Sequence, residues 1–241
     1  MIEVENLTKR YYDVLAVDNI SFQVGKGEVV GFLGPNGAGK STTLKILTCF
    51  MPATSGSARL AGLDVFRQSM NVRRLVGYLP ENVPLYGDMR VHEYLFFRGR
   101  LKGLSTKETR RRIGEVCEIC GLTDMKRRMI GQLSKGYKQR VGLADVLIHN
   151  PPILLLDEPT GGLDPSQRKE VRELIARLGE DHTILLSSHI LAEVETVCTR
   201  VLIIKKGRIV ANGTPEALKA GSRSGRLDEV FRKLTLDKED I

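Results

Sequence analysis

The feature that most constrains this chain is a glycine-rich octapeptide, Gly-Pro-Asn-Gly-Ala-Gly-Lys-Ser, at residues 34–41. It fits the phosphate-loop pattern Gly-x4-Gly-Lys-Ser/Thr, and it lies between an apolar, β-branched run and a run with helical periodicity. Glycines let backbone N–H groups approach phosphates closely, and the helix N-terminus adds the positive end of its dipole. The sequence therefore predicts a nucleotide-phosphate site between a buried strand and a helix.

Two side chains of this loop have predicted chemical roles. Lys40 is expected to reach the β and γ phosphates of a nucleoside triphosphate, and the hydroxyl of Ser41 is expected to bind Mg²⁺.

A pair of carboxylates follows a second apolar run. Asp157 ends the run at 153–156, and Glu158 is the next residue. Because the carboxyl ends of parallel strands meet at one edge of a sheet, we expect both side chains to lie beside a bound ligand. Asp157 is predicted to hold Mg²⁺, and Glu158 is predicted to polarise a water for in-line attack.

The order of strand-like and helical patterns predicts an α/β fold. Apolar strands separated by helices indicate a phosphate-loop core with a mostly parallel sheet. Strands of alternating polarity near the start predict an N-terminal antiparallel β-subdomain, and the helical, basic stretch at about 88–150 predicts an inserted helical subdomain. We expect one domain over 1–220, followed by a linker and a C-terminal helix over 221–241.

Composition excludes several other classes of protein. The 241 residues are 41% hydrophobic and 27% charged, as in an ordinary globular protein with its own core. No apolar run is long enough to span a membrane, and the N-terminus lacks a signal-peptide pattern, so a partner is expected to provide any membrane attachment. Four cysteines do not form a disulfide framework or a zinc pattern; Cys117 and Cys120 are predicted to be core residues or ordinary helical neighbours in a reducing compartment.

Basic residues are concentrated between Arg98 and Arg140, where there are 13 Lys and Arg against 4 Asp and Glu. Three interpretations are open: a solvated helical face, attraction to anionic lipid headgroups, or attraction to a polyphosphate ligand. No nucleic-acid partner is expected, because aromatic residues are only 5% of the chain and Trp is absent, so no stacking platform is indicated.

Residues 133–139 read Leu-Ser-Lys-Gly-Tyr-Lys-Gln. This stretch resembles the signature motif of ATP-binding cassette (ABC) proteins, Leu-Ser-Gly-Gly-Gln. The resemblance extends over residues 1–218. The other motifs of that family are present in their usual order: the phosphate loop, Glu81 at the Q-loop position, the Asp157–Glu158 pair, a D-loop at 162–164, and a switch histidine at His189.

The resemblance implies an ATPase with ATP and Mg²⁺ as cofactors. Glu158 and His189 are the implied catalytic residues, His189 touching the γ phosphate and holding the attacking water. Ser41, Glu81 and Asp157 are the implied metal ligands. The implied ATP-binding residues are Tyr11 (or its neighbour Tyr12) at the adenine, Gly34, Pro35, Asn36, Gly37, Ala38, Gly39, Lys40, Ser41, Thr42, Ser134, Gly136 and Asp164.

The same resemblance implies two partners. One is a second ATPase subunit in a homodimer, in which Ser134 and Gly136 reach the ATP of the other copy and Asp164 contacts the opposite subunit. The other is an integral membrane permease, which would hold the chain peripherally on the cytoplasmic face of the cell membrane.

Two positions depart from the common family pattern. The Q-loop glutamine is replaced by Glu81, and Lys135 and Tyr137 replace Gly and Gln in the signature. Lys135 either adds charge near the phosphate of the second copy or points to solvent. Both departures resemble ATPase subunits of ABC exporters of the drug-efflux and gliding-motility kind, so the expected function is to power an exporter. An importer ATPase and a soluble, non-transport ABC ATPase are the alternatives.

Overall fold

The computed structural model describes residues 1–220, 222 and 225–235. Of the predicted linker and C-terminal tail, residues 221, 223, 224 and 236–241 lie outside the described residues.

Two sheets organise the described residues. The first is antiparallel and has the strand order β2-β1-β4-β5. Its strands are β1 (Ile2–Tyr11), β2 (Val14–Val24), β4 (Ser55–Leu60) and β5 (Leu63–Asp64). This sheet confirms the predicted N-terminal antiparallel piece.

The second sheet has the strand order β10-β9-β3-β8-β7-β6. All its neighbouring pairs run parallel except β9 with β10, which form an antiparallel hairpin. The mostly parallel sheet of an α/β fold is therefore confirmed. Its strands are β3 (Val29–Leu33), β6 (Val76–Leu79), β7 (Ile153–Asp157), β8 (Thr183–Ser188), β9 (Arg200–Lys205) and β10 (Arg208–Gly213).

Helices cover the sheets and connect their strands. Three of them, α3 to α5, occupy the stretch that the sequence predicts as helical, with short 3₁₀ turns between α4 and α5. The division of the chain into domains stays a prediction. The helices are α1 (Lys40–Leu47), α2 (Ser69–Leu75), α3 (Val91–Leu101), α4 (Thr106–Ile119), α5 (Lys135–Leu147), α6 (Pro165–Leu178), α7 (Leu191–Val197), α8 (Pro215–Ala220) and α9 (Leu227–Thr235).

The central strands are buried on both faces, which is why their sequences are continuous apolar runs. Along β3, Val30 and Phe32 pack toward α1 and the antiparallel sheet, whereas Val29 and Leu33 pack toward the helices on the other side. This double burial fixes the end of β3, and therefore the start of the phosphate loop, between two hydrophobic cores.

Cys117 and Cys120 are buried in the core that α3, α4 and α5 share, with free thiols, as one of the two sequence interpretations expected. In the described part of the chain, no helix is long and apolar enough to cross a membrane.

Candidate active site

The phosphate loop connects the buried end of β3 to the first residue of α1. Gly39 caps this helix with φ of +108°, and a Cβ there would overlap the carbonyl oxygen of Ala16, so only glycine fits. Within the described part of the chain, no side chain accepts a hydrogen bond from the first-turn amides of α1 at this cap. These amides are therefore placed to receive an anion at the positive end of the helix dipole.

Lys40 is buried, with 5% of its surface exposed. Its ammonium donates hydrogen bonds to the carbonyl oxygens of Gly34, at 2.7 Å, and Pro35, at 3.2 Å. It also lies 3.3 Å from Oε1 of Glu158. The loop thus holds its cation inside the curve of its own backbone, where a phosphate would enter.

Asp157 ends β7 and is buried beneath the loop. One of its oxygens, Oδ1, accepts hydrogen bonds from the hydroxyls of Ser41, at 3.0 Å, and Ser187, at 2.6 Å. Oxygen atoms of Ser41 and Asp157 therefore lie within one hydrogen-bond length, and hard oxygen ligands of this kind suit Mg²⁺.

No group of three His, Cys, Asp or Glu side chains that could hold a metal is found among residues 1–220, 222 and 225–235. A Mg²⁺ ion beside Ser41 and Asp157 would therefore take other ligands from a nucleotide and water, which is the ordinary way that proteins bind this ion with phosphates.

Glu158 has an unusual backbone conformation, with φ of +47°. A non-glycine residue in this region is strained, and such residues concentrate at functional sites. Its carboxylate is 9% exposed, and Oε2 lies 2.8 Å from Nδ1 of His189. Its other oxygen, Oε1, is buried without a hydrogen-bond partner in the described structure, and this atom faces the Lys40 ammonium.

A cavity of about 490 Å³ lies over the phosphate loop. Among the sequence-predicted site residues, its wall includes Asn36, Gly37, Ala38, Gly39, Lys40, Ser41, Thr42, Glu81, Glu158 and His189. Lys135 also lines this cavity of its own chain and stands against Gly162. Lys135 is exposed, as one of its two sequence interpretations expected, and the other, a role at the phosphate of a second copy, stays a prediction.

Burial, and after it the charges of Asp157 and Glu81, raise the pKa of Tyr78. Glu81 is exposed and lines the cavity. Its negative charge therefore acts on the Tyr78 hydroxyl together with that of the buried Asp157. Whether Glu81 is a metal ligand stays a prediction.

Gly34, Pro35 and Asp157 do not line the cavity wall, although they belong to the phosphate loop or contact Ser41 in it. Three further predicted residues also lie outside the wall. Ser134 is the N-cap of α5 and Asp164 is the N-cap of α6; each accepts a hydrogen bond from an amide of its own helix. Gly136 packs so closely on the side chain of Gln167 that a Cβ would overlap it. A single chain therefore does not bring these residues to its own phosphate loop.

Tyr11 also lies outside the cavity wall. Its hydroxyl donates to the sulfur of Met51 at 2.8 Å, and the Lys9 ammonium lies 5.1 Å from the ring centroid. Its neighbour Tyr12 is 98% exposed. The choice between the two rings for adenine stays a prediction.

Sequence reasoning missed two residues of this region. Ser187 holds Asp157, as described above, and Glu193 lies buried behind the loop of His189. A serine at the end of an apolar strand and a glutamate in a short helix carry no pattern of their own, so neither had a usable signal.

Comparison with known proteins shows what the chain is similar to. A family model described as "ABC transporter" matches residues 17–161. The chain is 43% identical to the ABC transporter ATP-binding protein YxlF of Bacillus subtilis (strain 168), over 91% of this chain and 72% of that protein. It is 38% identical to the linearmycin resistance ATP-binding protein LnrL of the same organism, over 89% of this chain and 69% of that protein.

A solved structure has a similar fold. It is a dimeric ATP-binding cassette in a post-hydrolysis state, bound to ADP and Pi. The TM-score is 0.81 and the identity is 27%, with 89% of this chain and 98% of that chain covered.

Proposed function

The chain belongs to the ABC transporter family, and from this premise we propose that it powers an exporter by hydrolysing ATP between two copies of itself. Hydrolysis of ATP is the activity of the family's ATP-binding subunit. The observation that carries the catalytic part of the proposal is the strained Glu158, whose Oε1 has no hydrogen bond in the described structure and forms an ion pair with the phosphate-loop lysine.

Residues of the phosphate loop bind the triphosphate. The first-turn amides of α1 and the Lys40 ammonium contact its β and γ phosphates, which requires the ammonium to exchange its loop carbonyls for phosphate oxygens. Ser41 and Asp157 would hold Mg²⁺, which would supply positive charge against the phosphates when bound. Glu81 lines the same cavity, and its carboxylate would be a further oxygen ligand for this ion.

Glu158 takes a proton from the attacking water. When Lys40 turns to phosphate, Oε1 of Glu158 loses its nearest cation and becomes the free acceptor beside the cavity. His189 donates from Nδ1 to Oε2, which orients the carboxylate and leaves Nε2 of the neutral ring as an acceptor for the attacking water.

A second copy completes the site. Ser134, Gly136 and Asp164 lie away from the cavity of their own chain, so they are placed to serve the nucleotide of a partner. The amides at the start of α5 would then face a γ phosphate across the dimer. The dimeric cassette with ADP and Pi supports such an arrangement.

A membrane permease is the partner that the association of the two copies with ATP, and their release after hydrolysis, would drive. Two observations support export of a drug-like compound. Glu81, Lys135 and Tyr137 are variants that resemble those of drug-efflux exporters, and the chain is similar to a linearmycin resistance protein. The chain would sit on the inner face of the cell membrane through this permease, and Tyr11 would stack on the adenine.

Transport in vesicles tests the direction. The chain is co-expressed with a six-helix permease from a neighbouring reading frame, where one is encoded there, and ATP-dependent accumulation of amphipathic antibiotics is measured in inside-out vesicles. We expect accumulation with wild type and none with Glu158→Gln. Accumulation only in right-side-out vesicles loaded with ATP would establish an importer instead, and ATPase activity that ignores the permease would favour a non-transport ATPase.

A further inference from the structure

Glu193 is a buried carboxylate outside the nucleotide cavity. It lies on α7 and is 2% exposed. Its Oε2 accepts a hydrogen bond from the hydroxyl of Ser188 at 2.8 Å, and its Oε1 accepts one from the hydroxyl of Thr160. One side chain therefore joins two separate segments of the chain.

These two segments carry the proposed catalytic pair. Thr160 comes two residues after Glu158, and Ser188 directly precedes His189. Since His189 and Glu158 are themselves hydrogen-bonded at 2.8 Å, the contacts form a closed ring from Glu158 through Thr160, Glu193, Ser188 and His189 back to Glu158. Without Glu193, the two segments stay connected by the hydrogen bond between His189 and Glu158 and by the pairing of β7 with β8, but the loop of His189 loses its side-chain link to Thr160.

Further contacts hold Glu193 in place. The guanidinium of Arg168, on α6, lies with Nε 3.7 Å from Oε1 and donates through another nitrogen to the carbonyl of Leu163 at 3.2 Å. The Ser188 hydroxyl also accepts a hydrogen bond from the amide of Ile190 at 2.9 Å. A buried carboxylate is tolerated only with such partners, and charge-assisted hydrogen bonds of this kind define geometry tightly.

We propose that Glu193 is a positioning residue that locks the segment after Glu158 to the loop of His189, so that the imidazole and the carboxylate meet in register. The role rests on the proposed function, because the geometry it protects is that of ATP hydrolysis. It also links the His189 loop to Asp164, the N-cap of α6, and therefore to the proposed contact with the second copy.

The first test separates positioning from binding. Glu193→Gln keeps the size of the side chain, but its amide nitrogen cannot accept, so one of the two hydroxyls loses its acceptor. We expect kcat to fall about tenfold, equivalent to about 1.4 kcal/mol, with KM for ATP within about twofold of wild type. Glu195→Gln, on the same helix and paired with Lys219 at 3.0 Å, is the matched control and should retain wild-type kcat.

A second variant removes the hydrogen bond between Thr160 and Glu193 from the side of Thr160. Thr160→Val removes only the hydroxyl that Glu193 accepts from. If both residues act through one contact, their effects should not multiply. The kcat of the double variant Glu193→Gln/Thr160→Val should then be at least about half that of the slower single variant. Multiplicative losses, or a kcat of Glu193→Gln within twofold of wild type, would overturn the proposal.

A third measurement does not depend on ATPase activity. The chain has four histidines, so the ring signals can be resolved by ¹H–¹³C NMR and His189 assigned from a His189→Gln sample. We expect Glu193→Gln and Thr160→Val to shift the His189 signal and Glu195→Gln to leave it unchanged. An unmoved His189 signal overturns the positioning role, whereas an inactive wild type with the expected shifts overturns only the proposed function.

Discussion

The ammonium of Lys40 lies 3.3 Å from Oε1 of Glu158, so the lysine of the phosphate loop and the proposed base share one buried ion pair. A γ phosphate entering the loop competes with Glu158 for the same cation. Binding of the substrate would therefore free the carboxylate oxygen at the moment when it is needed. This exchange connects recognition of the triphosphate to the activation of water.

Replacing Glu158 by Gln should abolish turnover and preserve ATP binding. The amide cannot take a proton from water, so kcat should fall by about 10²-fold or more. ATP affinity should be equal to or tighter than in wild type, because Lys40 loses its competing carboxylate. ATPase assays and a fluorescent ATP analogue measure the two effects, with Glu173→Gln on the exposed side of α6 as control. An ATPase rate within threefold of wild type would show that Glu158 is not the base.

The Glu158→Gln protein should form a dimer that depends on ATP, and Ser134→Arg should prevent it. A bulky cation at the start of α5 would block the approach of this helix to the partner's nucleotide. Size-exclusion chromatography with and without ATP measures the dimer. Ser105→Arg is a matched control, because Ser105 is also an exposed N-cap serine, that of α4. A monomer under every condition, or equal loss in both variants, would contradict the proposed interface.

Variants of Glu81 should separate its charge from its role as a ligand. Glu81→Gln keeps an oxygen but removes a charge, so ATPase should survive while half-maximal activity moves to higher Mg²⁺ concentration. Glu81→Ala should impair transport more than basal hydrolysis. ATPase is measured against Mg²⁺ concentration with and without the permease. If both variants match wild type in each series, Glu81 is only a solvated loop residue.

Two glycines of the phosphate loop should respond differently to alanine. Gly39→Ala should destabilise the fold by more than about 3 kcal/mol and abolish nucleotide binding, because φ is +108° and the new Cβ overlaps the Ala16 carbonyl. Gly37→Ala has open space around its Cβ, so only the cost of its positive φ remains, about 1 kcal/mol. Thermal unfolding of both variants measures the difference. Equal Tm values would show that the loop backbone can relax at Gly39.

Stability should fall in mild acid because of His149. Burial, and after it the charges of Lys102, Arg112 and Arg98, lower the pKa of His149 to about 4. An unfolded chain binds this proton near pH 6.5, so the unfolding free energy decreases as the pH falls from about 6.5 to about 4. Between pH 7 and pH 5 the loss is about 2 kcal/mol from this group. His149→Gln should reduce the difference in Tm between these two pH values; an unchanged difference would exclude His149 as the cause.

Much of the fold could be predicted because its central strands are apolar on both faces. β3, β7 and β8 are continuous runs of buried residues, and such runs separated by helices have few other arrangements. Strands β4 and β5 and helix α2 were not predicted. They are short, and β4 carries Gly and Ser, so their structure comes from pairing with β1 and from packing rather than from local pattern.

The residues that line the nucleotide cavity could be predicted where they belong to one contiguous motif. Residues 36–42 are together because they are neighbours in the chain, and Glu158 and His189 directly follow two adjacent strands, β7 and β8. Contacts between distant residues had no sequence signal. The pairing of Glu158 with Lys40, the reach of Lys135 to its own cavity and the burial of Glu193 depend on how side chains meet in the folded chain.

The order of strands in the six-stranded sheet also governs how the protein is made. β3, which carries the phosphate loop, hydrogen-bonds only to β8 and β9, and β7 reaches it only through β8. A ribosome must therefore translate past residue 188 before the phosphate-loop strand has any neighbour in its sheet. Until then, a growing chain carries an apolar strand with both edges open, and such exposed edges make a nascent protein prone to aggregation.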